Sequence, residues 1–288
     1  MVLLLAAVWP AAQTDQRLQA ILDRVAEEAA IFAQMAPNLI SQETFRQRAR
    51  KPPPRFRPRL GKAAVTPPKP EYATREIVSE YGYSVFKEAP GRLHEFRQIV
   101  SVDGRRVLSA DKARQTLFRG LKSEDDRIKR RMLEGFRKHG LANAATDFGQ
   151  LLLLFGRRRL VDYQFGVVRE ERVGVDAAVV LSFRQSSGAE SLVIFEGKTA
   201  VQTRLEGELW VRQTDYGPLR ISLSASRPRE GSVIRDEATV EYTLSSHGAL
   251  TPVSVVHRQW NGSELLVENS FRYSAFRKFA ADAEIKFN

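Results

Sequence analysis

The chain has 288 residues, no cysteine, 43% hydrophobic residues and a formal net charge of +11. Such a chain can bury a sizeable core, and the lack of cysteine excludes a disulfide framework, a thiolate metal site, a thiol nucleophile and an acylated lipobox cysteine. The charge is local: residues 46–70 hold nine basic residues and no acid, and without those nine the excess falls from +11 to +2, which does not describe a general nucleic-acid surface.

Residues 2–12 read VLLLAAVWPAA and give way abruptly to Gln13, Thr14, Asp15, Gln16 and Arg17. The run resembles the apolar core and end of a secretory signal peptide, so residues 1–13 are expected to be a signal peptide or its remnant and the rest periplasmic or secreted. A buried N-terminal segment is the alternative. About eleven apolar residues cannot span a bilayer, which takes about twenty. Thr14 or Asp15 then caps a predicted helix in which Leu18, Ile21, Leu22, Val25, Ala29 and Phe32 recur at three- and four-residue steps until Pro37. Its polar face mixes Asp23, Arg24, Glu27 and Glu28, so the apolar face is expected to pack on a sheet, not on a membrane.

Residues 39–48 read as a first strand. Residues 51–70 hold seven of the thirteen prolines and predict a mobile, partly polyproline II loop. Arg50, Lys51, Arg55, Arg57, Arg59 and Lys62 make it a basic arm, either a solvated insertion or a contact for an anionic surface or an envelope protein. Strands follow at 71–87 and 92–102, and Asp103-Gly104 marks a tight turn, which makes Asp103 a turn residue and not a catalytic acid. Residues 109–155 are the one long helical region. Ser123 and its acidic followers open a helix that Gly140 ends, with Ile128, Met132 and Phe136 as its stripe. A second helix is expected at 144–155 with Phe148, Leu151, Leu152 and Phe155 inward. Both stripes are expected on the inner face of the sheet, and Gly120, Gly135, Gly140 and Gly149 weaken these helices in a way that suits either a movable lid or a loosely packed surface helix.

From residue 157 the pattern is antiparallel β, with strands near 158–172, 176–185, 190–196, 203–212, 218–227, 234–246, 250–261, 264–275 and 281–287. One face collects Val161, Tyr163, Phe165, Val167, Val179, Leu181, Leu209, Val211, Leu219, Ile221, Leu223, Val240, Tyr242, Leu244, Val253, Val255, Phe271 and Tyr273. The other collects Glu208, Arg212, Arg220, Glu241, Arg258, Glu268 and Arg272. A sheet this long with one dry face has to curl over something.

No catalytic constellation is present in the sequence. His94, His139, His247 and His257 show no metal-ligand spacing, so no metal site is expected. Ser109-Ala110-Asp111-Lys112 matches S-x-x-K without its companion motifs, and Gly197-Lys198-Thr199 ends like a phosphate loop without the first glycine. Trp210 and Trp260 lie in the polar register, either stacked under arginine or forming a carbohydrate or aromatic ligand site. No enzyme activity and no cofactor are implied.

Gly207, Leu209, Trp210 and Val211, then Gly217, Pro218, Leu219 and Arg220, and the closing Phe276-Arg277-Lys278-Phe279 before Ala283, Ile285 and Phe287, stand in an order that resembles the LolA-like group of periplasmic lipoprotein carriers. The pattern is also similar to uncharacterised secreted proteins of soil bacteria. The resemblance implies a single α+β domain over 14–288: a large curled antiparallel sheet, an incompletely closed barrel, with the N-terminal helix and the 109–155 insertion covering a concave face that holds acyl chains. On that reading Phe118, Leu121, Ile128, Met132 and Phe136 form a lid, and Val179, Leu181, Val240, Tyr242, Phe271 and Tyr273 part of the wall. The expected function is non-catalytic binding or carriage of a lipid or acylated ligand in the cell envelope. The rival is a filled-core interaction or scaffold protein that contacts a partner or anionic surface through the basic arm. No transmembrane span and no specific nucleic-acid partner are expected.

Overall fold

The computed structural model describes residues 11–52, 69–142, 147–188, 192–196, 199–229 and 231–278. The expected signal region, most of the basic arm (Arg55, Arg57, Arg59 and Lys62 included) and the last predicted strand at 281–287 lie outside them. Helix α1 (Ala11–Met35) leads into β1 (Leu39–Arg50), β2 (Tyr72–Phe86), β3 (Ala89–Val102) and β4 (Arg105–Arg106), then α2 (Ala110–Lys122) and α3 (Asp126–His139). Two 3-10 turns, Leu151–Phe155 and Leu160–Asp162, precede β5 (Tyr163–Val173), β6 (Asp176–Gln185), β7 (Leu192–Glu196), β8 (Thr199–Thr203) and β9 (Glu206–Arg212). The chain continues through β10 (Pro218–Arg229), β11 (Ser232–Leu244), β12 (Leu250–Asn261), β13 (Glu264–Tyr273) and β14 (Arg277–Lys278).

One antiparallel sheet runs β4-β3-β2-β1-β13-β12-β11-β10-β9-β6-β5, with β14 also on β1, while β7 and β8 pair apart from it. Its two edges do not meet, so the sheet curls without closing, as the sequence predicts. The order brings the first strand against the last long one: Phe45 stands opposite both Ile77 and Phe271. Side chains alternate between faces, and the inner face collects Phe45, Ile77, Tyr81, Tyr83, Val179, Leu181, Leu209, Val211, Ile221, Leu223, Val240, Tyr242, Val255 and Phe271 into one cluster with Ile21, Val25, Ala29 and Phe32 of α1. The helical stripe therefore docks where its periodicity predicts. The outer face over the second half of the chain is wet and laced with cross-strand pairs such as Arg169–Glu208, Arg220–Glu241 and Arg258–Glu268. Pairs this exposed contribute about 0–1 kcal/mol each and mark the solvent side more than they stabilise it.

Several expectations change. One end of strands β1 to β3 is dry on both faces: Ile40, Phe86 and Phe96 point outward and are covered by Leu117 and Leu121 of α2 and Met132 of α3, while Arg46 and Arg48 leave the rest of the outer face of β1 wet. Leu121 and Met132 thus pack on the side opposite the expected lid position, because this part of the sheet carries an outer apolar patch of its own. Phe136, one turn beyond Met132, joins the inner cluster. The segment before β5 is a 3-10 turn at Leu151–Phe155 and not the helix predicted over 144–155. A register shift between Pro218 and Arg220 turns Leu219 to the outer face beside Ala178, Val180 and Trp210. Val161, Val167, Leu244 and Val253 are exposed and not part of the inner face. The strand expected over 203–212 is β9, beginning at Glu206, and β8, which pairs with β7, is an additional strand before it.

Gly207 explains one glycine of the G-x-L-W-V stretch. A Cβ there would stand 2.0 Å from the Ser222 carbonyl oxygen and 2.9 Å from Phe183 Cζ, so β9 and β10 pair with no room for a side chain. Gly207→Ala is expected to cost about 1–3 kcal/mol in urea unfolding through overpacking. Gly135→Ala, where a Cβ meets nothing within 4 Å in α3, is expected to gain about 0.5–1 kcal/mol. Equal effects of the two would contradict this packing.

Candidate functional site: the inner face and its strap

Beyond its short pairing with β4, β3 has no strand on its free side among the described residues, so its edge amides and carbonyls need other partners. Residues 147–155 supply them and then lie across the inner face as a strap. The Asp147 carboxylate accepts from Glu95 N (3.1 Å) and lies 3.2 Å from His94 Nδ1, and Gln150 Nε2 donates to the Leu93 carbonyl (3.0 Å). Tyr242 Oη, from the opposite side of the sheet, donates to the Gly149 carbonyl (3.2 Å) and accepts from Leu152 N (3.1 Å). Phe148 stacks on His257, while Leu151, Leu152, Leu154 and Phe155 are buried in the core, Phe155 against Tyr163 and Phe183. Asp147 adopts a positive φ of 72°, a left-handed backbone that aspartate tolerates better than most residues other than glycine.

Under the strap lies a buried charged cluster. Arg97 Nε and Nη2 donate to Glu43 at 2.8–3.1 Å, and Nη2 also donates to Glu95 Oε2 at 2.7 Å. All three residues are almost wholly buried, and Arg97 sits over the rings of Tyr81, Phe136 and Phe271. Glu95 Oε1, Tyr81 Oη and Tyr83 Oη have no well-formed hydrogen bond. Desolvation, only partly offset by Arg97 and reinforced by Asp147 and Glu43, pushes the Glu95 carboxyl up to about 7. Buried unsatisfied groups cost stability, and structures keep them where they serve something else.

A second polar chain crosses the inner face and is satisfied along its length. Gln47 Oε1 accepts from Leu141 N (2.6 Å) and Ala142 N (3.1 Å), and its amide donates to Asn269 Oδ1 (2.8 Å). Asn269 Nδ2 in turn donates to His257 Nδ1 (3.1 Å), which leaves the proton on Nε2, facing Asp236 Oδ1 at 2.9 Å. Burial disfavours the Asp236 charge, but hydrogen bonds from His257 and Arg227 outweigh it and hold that carboxyl below its usual range.

Of the residues expected to line a site, Val179, Leu181, Val240, Tyr242 and Phe271 share the inner cluster, Tyr273 packs on its margin, and Phe136 is the one lid residue that joins them. Phe118 and Ile128 are half-buried on α2 and α3. Arg50 and Lys51 pair with Glu264 and Glu71. Ser109 of the S-x-x-K match is the N-cap of α2, and Asp103 accepts from Glu76 N in its turn. Trp210 and Trp260 lie under Arg220 and Arg235, at 5.5 and 5.9 Å. No motif singles out Glu43, Glu95 and Arg97, and the one signal in the sequence is that Glu95 and Arg97 alternate in register with Leu93 and Ile99, an anomaly for a dry face. The two best-defined depressions among the described residues are a polar one of about 360 Å³ between Arg46, Arg48, Thr74 and Glu268, and one of about 10 Å³ beside Glu95, Arg97 and Phe136.

No protein-family model and no curated protein matches the chain. Among solved structures it is similar to a LolA superfamily protein from Nitrosomonas europaea, with a TM-score of 0.33, 11% identity, and 93% of this chain and 97% of that one covered. A domain described as an outer-membrane lipoprotein-sorting protein from Vibrio parahaemolyticus gives a TM-score of 0.36 and 12% identity, with 93% and 95% covered. A DUF1329 family protein from Desulfovibrio piger gives 0.35 and 11%, again with 93% and 95% covered. The fold assignment rests on the strand order and packing above.

The raised Glu95 carboxyl has a stability consequence. Its ordinary value is 4.5 and its folded value about 7, so between those values the folded chain holds a proton the unfolded chain releases, and stability falls as pH rises through that window. The full penalty, roughly 3 kcal/mol, is present above about pH 7. Glu95→Gln is expected to flatten the slope of unfolding free energy between about pH 4.5 and 7. An unchanged slope in a folded variant would refute the assignment.

Proposed function

We propose that this chain is a non-catalytic cell-envelope protein that binds a lipid or acylated ligand on the inner face of its sheet, the strap at 147–155 leaving as the ligand enters. The observation that carries this reading is the cover itself. A sheet that does not close has its apolar face covered by one helix and an irregular strap of successive apolar residues, and beneath the strap stand convergent polar groups with a displaced carboxyl. An apolar concave surface with a few convergent polar groups is the usual form of a ligand site. The apolar start of the sequence supports an envelope location, and among the described residues no helix is long and apolar enough to cross a membrane.

The strap sets the size of the ligand. Its five buried apolar side chains, Phe148, Leu151, Leu152, Leu154 and Phe155, at about 1.5–3 kcal/mol each, represent on the order of 7–15 kcal/mol of burial that an incoming molecule has to replace. At about 0.8 kcal/mol per methylene, that takes a chain of about ten methylenes or more. Short-chain molecules do not open such a face, and acyl chains of membrane lipids do. Val179, Leu181, Val240 and Phe271 would line the chain, with Tyr242 and Tyr273 toward its polar end.

The filled-core rival is favoured by one observation: Phe32, Tyr81, Tyr83 and Phe155 are fully buried, and both best-defined depressions involve charged residues. Deleting residues 51–70 separates the two, because a scaffold working through the basic arm loses its partner while a carrier keeps its ligand.

Native mass spectrometry of the chain purified from its own host, followed by solvent extraction, is expected to show a stoichiometric acyl-containing adduct. A clean apo mass that also refuses added lipids sinks the proposal. Tyr242→Phe removes the hydroxyl that ties down Gly149 and Leu152. Losing about 1–2 kcal/mol of strap closure is expected to tighten binding of a long-chain probe by roughly 5- to 30-fold. Unchanged affinity in the folded variant would show that the strap does not gate the face.

A further inference from the structure

Resting on the reading that the strap leaves, we infer that the place now held by Gly149 is a head-group site for a protonated amine, so that the preferred ligand is an amphiphile with a long chain and an ammonium head. Gly149 lies in a cradle aimed at it: a Cβ there would stand 2.8 Å from Glu95 Oε1 and 3.1 Å from Tyr81 Oη. Both atoms are buried without a well-formed hydrogen bond, and Tyr83 Oη is buried next to Tyr81. A carboxylate oxygen and two phenol oxygens can all accept, and an ammonium group donates three times and accepts nothing.

Charge and ring placement point the same way. Once the strap and its Asp147 have left, the charged groups facing the cradle are Glu43 and Glu95 against Arg97, whose guanidinium is already engaged by both glutamates, with His94 on the β3 edge. Ionised, the cluster is net negative, so an anionic head meets like charge while a cation completes it. Tyr81 also stands 5.1 Å from Tyr83, 4.9 Å from Tyr273 and 6.2 Å from Phe276, measured between ring centroids. One cation already lies against this group, Arg97 at 5.0 Å from the Tyr81 centroid, so these rings sit in a setting that accepts positive charge.

The test uses three single-chain probes of one length, dodecylamine, dodecanol and dodecanoate, titrated calorimetrically against the full chain below their aggregation concentrations. At about pH 8.5 the amine is protonated and Glu95, at about 7, is ionised. Dodecylamine is expected to bind at least about tenfold more tightly than dodecanol, with dodecanoate weakest, and Glu95→Gln to bring the amine close to the alcohol. Tyr81→Phe, which keeps the ring and loses only the hydroxyl at the cradle, is expected to lower the amine preference in part, and it serves where Glu95→Gln does not fold. Dodecanol or dodecanoate binding as tightly as the amine would overturn the head-group assignment and leave the carrier reading standing. Failure of all three to bind would overturn both.

Discussion

An antiparallel sheet that is apolar on one face and does not close has to be covered, and the rest of this structure follows from how that is done. Helix α1 covers part of the inner face with Ile21, Val25, Ala29 and Phe32. The strap covers the remainder and also satisfies the free edge of β3, where Asp147 and Gln150 take the backbone groups of Glu95 and Leu93. One segment thus meets two separate demands, apolar burial and edge hydrogen bonding. Its hold on the sheet is strong through its leucines and weak through its few polar ties, a combination that a long-chain competitor can exploit and a small molecule cannot.

The polar groups on the inner face fall into two kinds. The run from Gln47 through Asn269 and His257 to Asp236 satisfies its members and ties the chain at Leu141 and Ala142 to the sheet, which is what a structural network does. The Glu43–Arg97–Glu95 cluster leaves one carboxylate oxygen and two nearby phenols without partners. Replacing a buried ion cluster of this kind by apolar residues is often neutral or stabilising, so its presence in a dry face calls for a role beyond stability. The ligand site proposed above gives it one.

Much of this was legible in the sequence, because period two and period 3.6 report which side of an element is dry. The stripe of α1, the inner residues of β6, β9, β11 and β13 and the turn at Asp103 were all readable that way. What was not legible had physical causes. Alternation cannot show that a strand is dry on both faces, so it gives no sign of the outer patch of Ile40, Phe86 and Phe96 and points Leu121 and Met132 to the inner side. A bulge changes parity without a sequence mark, which misplaced Leu219. The run Leu151–Phe155 has the composition of a helix and the role of a strap, and only the exposed edge of β3 distinguishes them. Glu95 and Arg97 were visible as charges in an apolar register, but their pairing with Glu43 on β1 depends on strand order, which a single sequence does not supply.

The account stands on the strap being a closure separable from the sheet, and residue-resolved hydrogen exchange under native conditions tests that most directly. It predicts that the amides of Leu151, Leu152 and Leu153, all hydrogen-bonded in the structure, exchange through an opening several kcal/mol below the free energy that governs the centre of β1 and β11. Exchange of those amides only together with the central strands, through global unfolding, would contradict it and leave the molecule with a filled core.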